Sequence, residues 1–193
     1  MLPRIAPILP VLSKIVPTGP EWVYEPKLDG FRGVLYLQNG RASFSSKTSK
    51  PMPRFADLAH ELAQALAAHE AILDGEIVVM GSNGPDFNAL FRRTGKPSYL
   101  AFDLLWLDGE DLRALPLTQR KKLLRKLLAK SPIGAIEPVR DPRLFEAAVR
   151  LDLEGIVAKR RGDPYAAQTQ WMKIKHAGYT QQQGRAELFH RAR

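Results

Sequence analysis

The residues best equipped for chemistry lie in EPKLDGFRG, Glu25 to Gly33. Lys27 ends a strand-like stretch and is followed by a turn built on Asp29 and Gly30, then by Arg32. That order holds an amine at the mouth of a sheet with a carboxylate and a guanidinium close by. An amine attacks only when neutral, so a lysine of ordinary pKa, about 10.4, is useful near pH 7 only where its surroundings favour loss of the proton. Neighbouring cations do this. Further along, WMKIK (Trp171 to Lys175) alternates Lys173 and Lys175 with Met172 and Ile174, and period-two geometry sets both amines on one face of a strand. Taken singly, the first segment is an Asp-Gly turn with salt-bridging flanks, and the second is a strand edge protected by lysines.

Strands and turns must place these groups. Trp22 to Pro26 and Arg32 to Gln38 read as strands, the second closed by a turn at Asn39 and Gly40. FADLAHELAQALAAH, Phe55 to His69, spaces its apolar residues as a one-sided helix. AILDGEIVVM (Ala71 to Met80) and YLAFDLLWL (Tyr99 to Leu107) read as buried strands, the latter ending in a turn at Asp108 and Gly109. Thr118 is placed to cap the helix TQRKKLLRKLLAK, which stops before Pro132. Leu123, Leu124, Leu127 and Leu128 form its apolar stripe, and its basic residues read as a solvated face, with DNA contact as the rival reading. A short helix over Pro142 to Arg150, strands at Gly155 to Lys159 and Trp171 to Lys175, and a polar, helix-compatible ending from Gln181 to Arg193 complete the chain. The order predicts an α+β fold with antiparallel sheets, because strands often follow one another without a crossover helix.

Composition narrows the chemistry. A chain of 193 residues, 45% of them hydrophobic, has the material for one sizeable core. There is no cysteine, which excludes disulfides, zinc thiolates and thiol nucleophiles, leaves hard cations on oxygen ligands, and fits a reducing compartment. The apolar opening MLPRIAPILPVLSKIVP is interrupted by Pro3, Pro7, Pro10 and Pro17 and by Arg4 and Lys14. It reads as an extended lead-in over residues 1–20 rather than a signal or membrane segment, and a cytoplasmic protein is expected. The net charge of +9, from 29 basic and 20 acidic side chains, is of the size that attracts polyanions, although many basic proteins bind none specifically.

The ordered set of segments decides. EPKLDGFRG, then LDGEIVV (Leu73 to Val79), YLAFDLLWLDG (Tyr99 to Gly109), EGIVAKRRG (Glu154 to Gly162) and WMKIK resemble, in order, the motifs of the covalent nucleotidyltransferase superfamily of ATP-dependent DNA ligases, RNA ligases and mRNA capping enzymes. The resemblance runs from about Glu21 to Lys175. DLLWLDGEDLRALPLTQRKKLL and EGIVAKRRGDPY are most similar to the bacterial ligases associated with end joining, which ranks DNA ligase above RNA ligase and well above capping enzyme.

The resemblance implies an ATP-dependent DNA ligase adenylation domain over residues 21–175, with antiparallel sheets flanked by helices in an ATP-grasp-like nucleotidyltransferase fold. It implies that Lys27 forms a phosphoramide with AMP and that Glu25 lies against the adenine edge. Arg32 would contact the ribose or phosphate, Glu76 the ribose hydroxyls, and Phe102 would stack on the base. Glu154 would help hold Mg2+ through water, since that ion dehydrates reluctantly. Lys173 and Lys175 would neutralise the α-phosphate oxygens and, by like charge, disfavour a further ammonium beside them. ATP and Mg2+ are the implied cofactors. Nicked duplex DNA is the implied partner, with other end-joining or repair proteins or a separate OB-fold polypeptide beyond it, and a monomer free of membrane is expected.

Three features depart from the pattern. Where the second motif offers an arginine, this chain has SSKTSKP (Ser45 to Pro51), in which Lys47 is the nearest cation, without the bidentate fork of arginine. DPYAAQTQ, between the last two motifs, is short. Ligases of this family continue into an OB-fold domain, whereas only HAGYTQQQGRAELFHRAR follows WMKIK, residues 176–193. The expectation is a core without an OB domain, either one piece of a longer protein or a stand-alone protein whose ending packs as a helix. The rival from another class is a basic nucleic-acid-binding module that keeps the fold; intact Lys27, Glu76, Glu154, Lys173 and Lys175 argue against it.

Overall fold

The computed structural model describes residues 2–82 and 84–182. In chain order its strands are β1 (Val11–Leu12), β2 (Trp22–Pro26), β3 (Phe31–Gln38), β4 (Arg41–Ser46), β5 (Glu70–Val78), β6 (Met80–Gly81), β7 (Gly84–Pro85), β8 (Ser98–Leu107), β9 (Glu110–Asp111), β10 (Gly134–Ala135), β11 (Gly155–Arg160) and β12 (Met172–Lys175). The helices are α1 (Ala56–Ala65), α2 (Phe87–Arg92), α3 (Leu117–Leu128) and α4 (Leu144–Arg150).

The long apolar segments build the larger sheet. β3 pairs antiparallel with β4 on one side and β5 on the other, and β5 pairs antiparallel with β8. β5 and β8 are covered on both faces, which explains why they read as nearly continuous apolar runs. On one face Leu58 and Leu62 of α1 and Leu124 and Leu128 of α3 pack with Leu35, Leu73 and Leu104. On the other, Val34, Ile72, Phe102 and Leu105 meet Ile5 and Ile8 of the lead-in together with Tyr165 and Trp171. The smaller sheet runs β1-β12-β11-β2, and Ala148 of α4 packs with Trp22, Ile156 and Ile174.

The expected α+β class with antiparallel sheets is the observed one, with two short parallel pairings, β1 with β12 and β10 with β8. Several details differ. α1 stops at Ala65 because Leu66 turns extended, so the helix does not reach His69. Thr118 does not cap α3: the helix starts at Leu117 behind Pro116, and the N–H groups of Leu117 and Thr118 donate to Asp163 O and Arg161 O instead. Its basic residues are not simply a solvated face either, since Arg120 and Lys121 are buried beside Leu117, Leu124 and Leu128. β4 and α2 went unread in the sequence; α2 is capped by Asp86, whose side chain accepts from Ala89 N at 2.8 Å. Thr180–Gln182 forms a 3-10 turn, and the rest of the expected C-terminal helix lies outside the described residues. No helix among the described residues is long and apolar enough to cross a membrane.

Candidate active site

Lys27 reaches the site as the residue after β2. Its N–H donates to Gly155 O at 2.8 Å and so prolongs the β2–β11 pairing. Gly155 holds φ +139, and a Cβ there would sit 2.0 Å from Ile174 O, so only glycine lets this start of β11 close on β12. That approach sets Glu154 beside Lys27. Lys27 Nζ donates to Glu154 Oε2 at 2.6 Å, and Lys175 Nζ lies 3.1 Å from Oε1, so one carboxylate bridges two ammonium groups. Burial works to raise the Glu154 carboxyl, but Lys27 and Lys175 hold it below its ordinary value. Lys173 is lowered by burial and then by the like charges of Lys175 and Lys27.

These groups open onto a cavity of about 600 Å³ between the two sheets, a size suited to a small-molecule ligand. All the residues singled out from the sequence line it: Glu25, Lys27, Arg32, Lys47, Glu76, Phe102, Glu154, Lys173 and Lys175. Lys47 stands exposed in the turn after β4, near enough to Lys173 to repel it. Asp29, in the turn after Lys27, accepts from Tyr179 OH at 3.1 Å, which ties the segment after β12 to that turn.

Arg32 is more tightly committed than its sequence suggests. It donates to both oxygens of Asp74, from Nε at 2.6 Å and Nη2 at 2.5 Å, and Tyr165 OH donates to Asp74 Oδ2 at 2.6 Å. Burial would lower the guanidinium's pKa, and Asp74 more than offsets it. Asp74 is fully buried; nothing in the apolar LDGEIVV segment distinguishes it from a strand residue facing a loop. Opposite Arg32 in the β3–β5 register stands Glu76. Although part of its surface reaches the cavity, burial, with repulsion from Glu154 and Asp29, raises its carboxyl to about 7 against the pull of Lys27 and Arg32.

Phe102 sits on a bulge. Asp74 pairs with Asp103 and Gly75 with Ala101, leaving Phe102 as the extra residue of β8. A bulge re-aims a side chain, and here it turns the ring toward the cavity while Asp103 takes the Arg120 guanidinium at 2.8 and 2.9 Å. The Phe102 ring lies edge to face with Trp171, 6.0 Å between centroids, with Arg32 and Lys159 each 4.5 Å from its centre.

Glu25 forms the back of the cavity between two lysines that the sequence did not single out. Lys159 Nζ donates to Oε2 at 2.6 Å, and Lys121 Nζ lies 2.5 Å from Oε1, so each oxygen is held by one ammonium. Burial tends to raise the Glu25 carboxyl, yet Lys121 and Lys159 keep it lowered and ionised. The surplus positive charge shows on Lys159, which burial, reinforced by Lys121, lowers to about 8 against the pull of Glu25. The signal for Lys121 was helical phase: positions 117, 120, 121, 124 and 128 share a buried face.

The chemistry of the donor set suits a hard cation only loosely held. Among the described residues no group of three His, Cys, Asp or Glu side chains is placed to bind an ion. The cavity offers the carboxylates of Glu154 and Glu76, whose mutual repulsion a cation would relieve. This fits an ion carried mostly by water and phosphate oxygens.

A family model described as ATP dependent DNA ligase domain matches residues 3–175. The multifunctional non-homologous end joining protein LigD of Pseudomonas aeruginosa is 33% identical over 201 residues, covering 93% of this chain and 24% of that protein. DNA ligase C of Mycobacterium tuberculosis is 30% identical, covering 91% of this chain and 56% of its own length. A mycobacterial DNA ligase D solved in complex with ATP and MES superposes with a TM-score of 0.76 at 30% identity, covering 89% of this chain and 60% of that one. The chain thus spans about a quarter of the length of the first relative and somewhat over half that of the other two.

Proposed function

The chain belongs to the ATP-dependent DNA ligase domain family, and from that premise we propose that it is the adenylate-accepting core of a DNA ligase acting on DNA ends, with residues 21–175 as the adenylating unit. The observation that carries the reading is the Lys27–Glu154–Lys175 bridge at the mouth of a cavity lined by every expected site residue.

In the proposed first step Lys27 Nζ gives up a proton, for which Glu154 Oε2 at 2.6 Å is the hydrogen-bonded acceptor. The freed lone pair attacks the α-phosphorus of ATP, a P–N bond forms, the α–β P–O bond breaks and pyrophosphate leaves. Lys173 and Lys175 neutralise the α-phosphate oxygens as charge develops, which is the main catalytic lever in phosphoryl transfer. Lys47 adds a single cationic contact at the mouth. Glu76 takes the ribose hydroxyls, Phe102 the base face and Glu25 the base edge. Arg32, clamped by Asp74, acts more through positioning β3 than through a free fork on phosphate. Mg2+, held by Glu154 through water and by the phosphates, would supply charge neutralisation there. AMP then passes to a 5′-phosphate at a nick, and a 3′-hydroxyl displaces it.

The relatives named for end joining and DNA repair favour nicked duplex DNA as the substrate and repair proteins as the partners. The test is incubation with α-labelled ATP and magnesium. The protein should acquire acid-labile label, and Lys27→Ala none; wild-type protein that stays unlabelled across metals and pH overturns the reading in favour of a nucleic-acid-binding module.

A further inference from the structure

Lys121 stands outside the cavity and touches two residues that line it. Its ammonium lies 2.5 Å from Glu25 Oε1 and donates to Ile136 O at 2.8 Å. The helix that carries it is thereby tied to β2 just before Lys27 and to the chain just after β10. On the other side of the carboxylate, Lys159 Nζ takes Oε2 at 2.6 Å and rests 4.0 Å from the centre of the Trp171 ring. Glu25 is 2% exposed and each of its oxygens is held by one ammonium, but a carboxylate has about four lone-pair sites, so acceptor capacity remains on a residue that lines the cavity. A long, flexible lysine buried this deeply is unusual without a partner to fix, and here its whole reach is spent on the orientation of one carboxylate and one cavity wall.

Resting on the adenylation reading above, we propose that Lys121 is a positioning residue for nucleotide selection: it pins Glu25 as an oriented carboxylate that accepts from the exocyclic amine of adenine and rejects the 6-oxo group of other purines. A carboxylate only accepts. Facing an amine, it completes its unused lone pair; facing a carbonyl, two acceptors are opposed in a buried place and neither is satisfied. Without Lys121, Glu25 keeps Lys159 on one oxygen and loses the clamp on the other. The carboxyl can then rotate or take up a proton, and a protonated carboxyl donates to a 6-oxo group. Lys121 touches neither substrate nor reacting atoms, so its loss acts on the choice of base more than on phosphoryl transfer.

The experiment measures self-nucleotidylation of the full chain with α-labelled ATP and α-labelled ITP, which differ only on the six-membered ring edge. Wild type should favour ATP strongly. Lys121→Met should cut the ratio of the two kcat/KM values by at least about tenfold, chiefly through a raised KM for ATP, while Lys121→Arg stays within about threefold of wild type. The ratio is taken within one preparation, so it is independent of the folded fraction. If Lys121→Met yields too little folded protein, Lys121→Gln, which keeps a polar head for Ile136 O but no charge for Glu25, decides by the same ratio. An unchanged ratio with both rates lowered together overturns the proposal and leaves Lys121 a structural ion pair. Wild type labelled equally by both nucleotides also overturns it, whereas wild type labelled by neither brings down the adenylation reading itself.

Discussion

Lys27 Nζ donates to Glu154 Oε2 at 2.6 Å across a sequence separation of 127 residues. The contact exists because Gly155, at φ +139, allows a backbone approach that any side chain would block. Glu154 therefore does two things at once. It keeps the Lys27 ammonium in place, and through its second oxygen, 3.1 Å from Lys175, it couples that ammonium to β12.

Glu154→Gln separates those roles from shape. The amide keeps the volume but can neither take a proton nor balance two ammonium groups. The rate of Lys27 labelling at saturating ATP should fall by about a hundredfold, in the range typical of a lost proton-transfer partner. Quenched single-turnover labelling with α-labelled ATP reads this directly, and a fall smaller than about threefold would show that the bridge is only structural.

The Arg32–Asp74–Tyr165 cluster makes a prediction about stability. Asp74 is fully buried and takes two bonds from Arg32 and one from Tyr165. Asp74→Asn leaves the guanidinium without its counter-charge and should cost about 3–5 kcal/mol, the usual penalty for breaking a buried pair. Tyr165→Phe removes one hydrogen bond to an ionised oxygen and should cost about 1.5–3 kcal/mol. Urea unfolding of the three proteins checks the order; equal losses would mean that Arg32 finds another partner when Asp74 is neutralised.

The same cluster marks where sequence stops being informative. Lys27, Lys173 and Lys175 were legible because a turn signal and strand alternation act locally, and both survive into the structure; Glu154 was legible only through the resemblance of its segment to a family motif. Asp74 was hidden inside an apolar strand, and its partner Tyr165 lies 91 residues away. Lys121 and Arg120 read as solvated because charge usually faces water, whereas each meets a buried carboxylate, Glu25 and Asp103, supplied by distant strands. Phe102 was legible by type but not by aim, since its bulge arises from the register of β5 against β8. Residue type and local period are written along the chain; the pairing of buried charges is a property of the packed sheets.

Glu76 titrates near neutrality, its carboxyl raised to about 7. The same group in an unfolded chain titrates near about 4.3. The folded protein therefore holds this proton more tightly, and the stability it contributes is complete below about pH 4 and is lost as pH climbs through about 7. Glu76→Gln removes the titration. Its melting temperature relative to wild type, without nucleotide, should rise between about pH 5 and pH 8 by a few degrees. A difference that stays flat with pH would mean that Glu76 is already ionised throughout.

Salt should separate the chemistry of the cavity from the binding of DNA. The Lys27–Glu154 pair is drawn largely out of solvent, with side-chain exposures of 23% and 6%, and such short, partly buried contacts are weakly screened. A duplex too large for the cavity must be held by exposed cations such as Lys47 and Lys50 in the turn after β4, whose phosphate contacts release counterions and weaken steeply as salt rises. Sealing also needs a 3′-hydroxyl aligned on the adenylated 5′-phosphate, so any loss of positioning is multiplied in the rate. Self-labelling should thus change little from about 20 mM to about 300 mM salt, while sealing of a nicked duplex by the same preparation falls by orders of magnitude. If sealing proves as salt-resistant as labelling, the nick is held by contacts other than exposed lysines on phosphate, and the substrate-binding face must be sought away from the mouth that Lys47 guards.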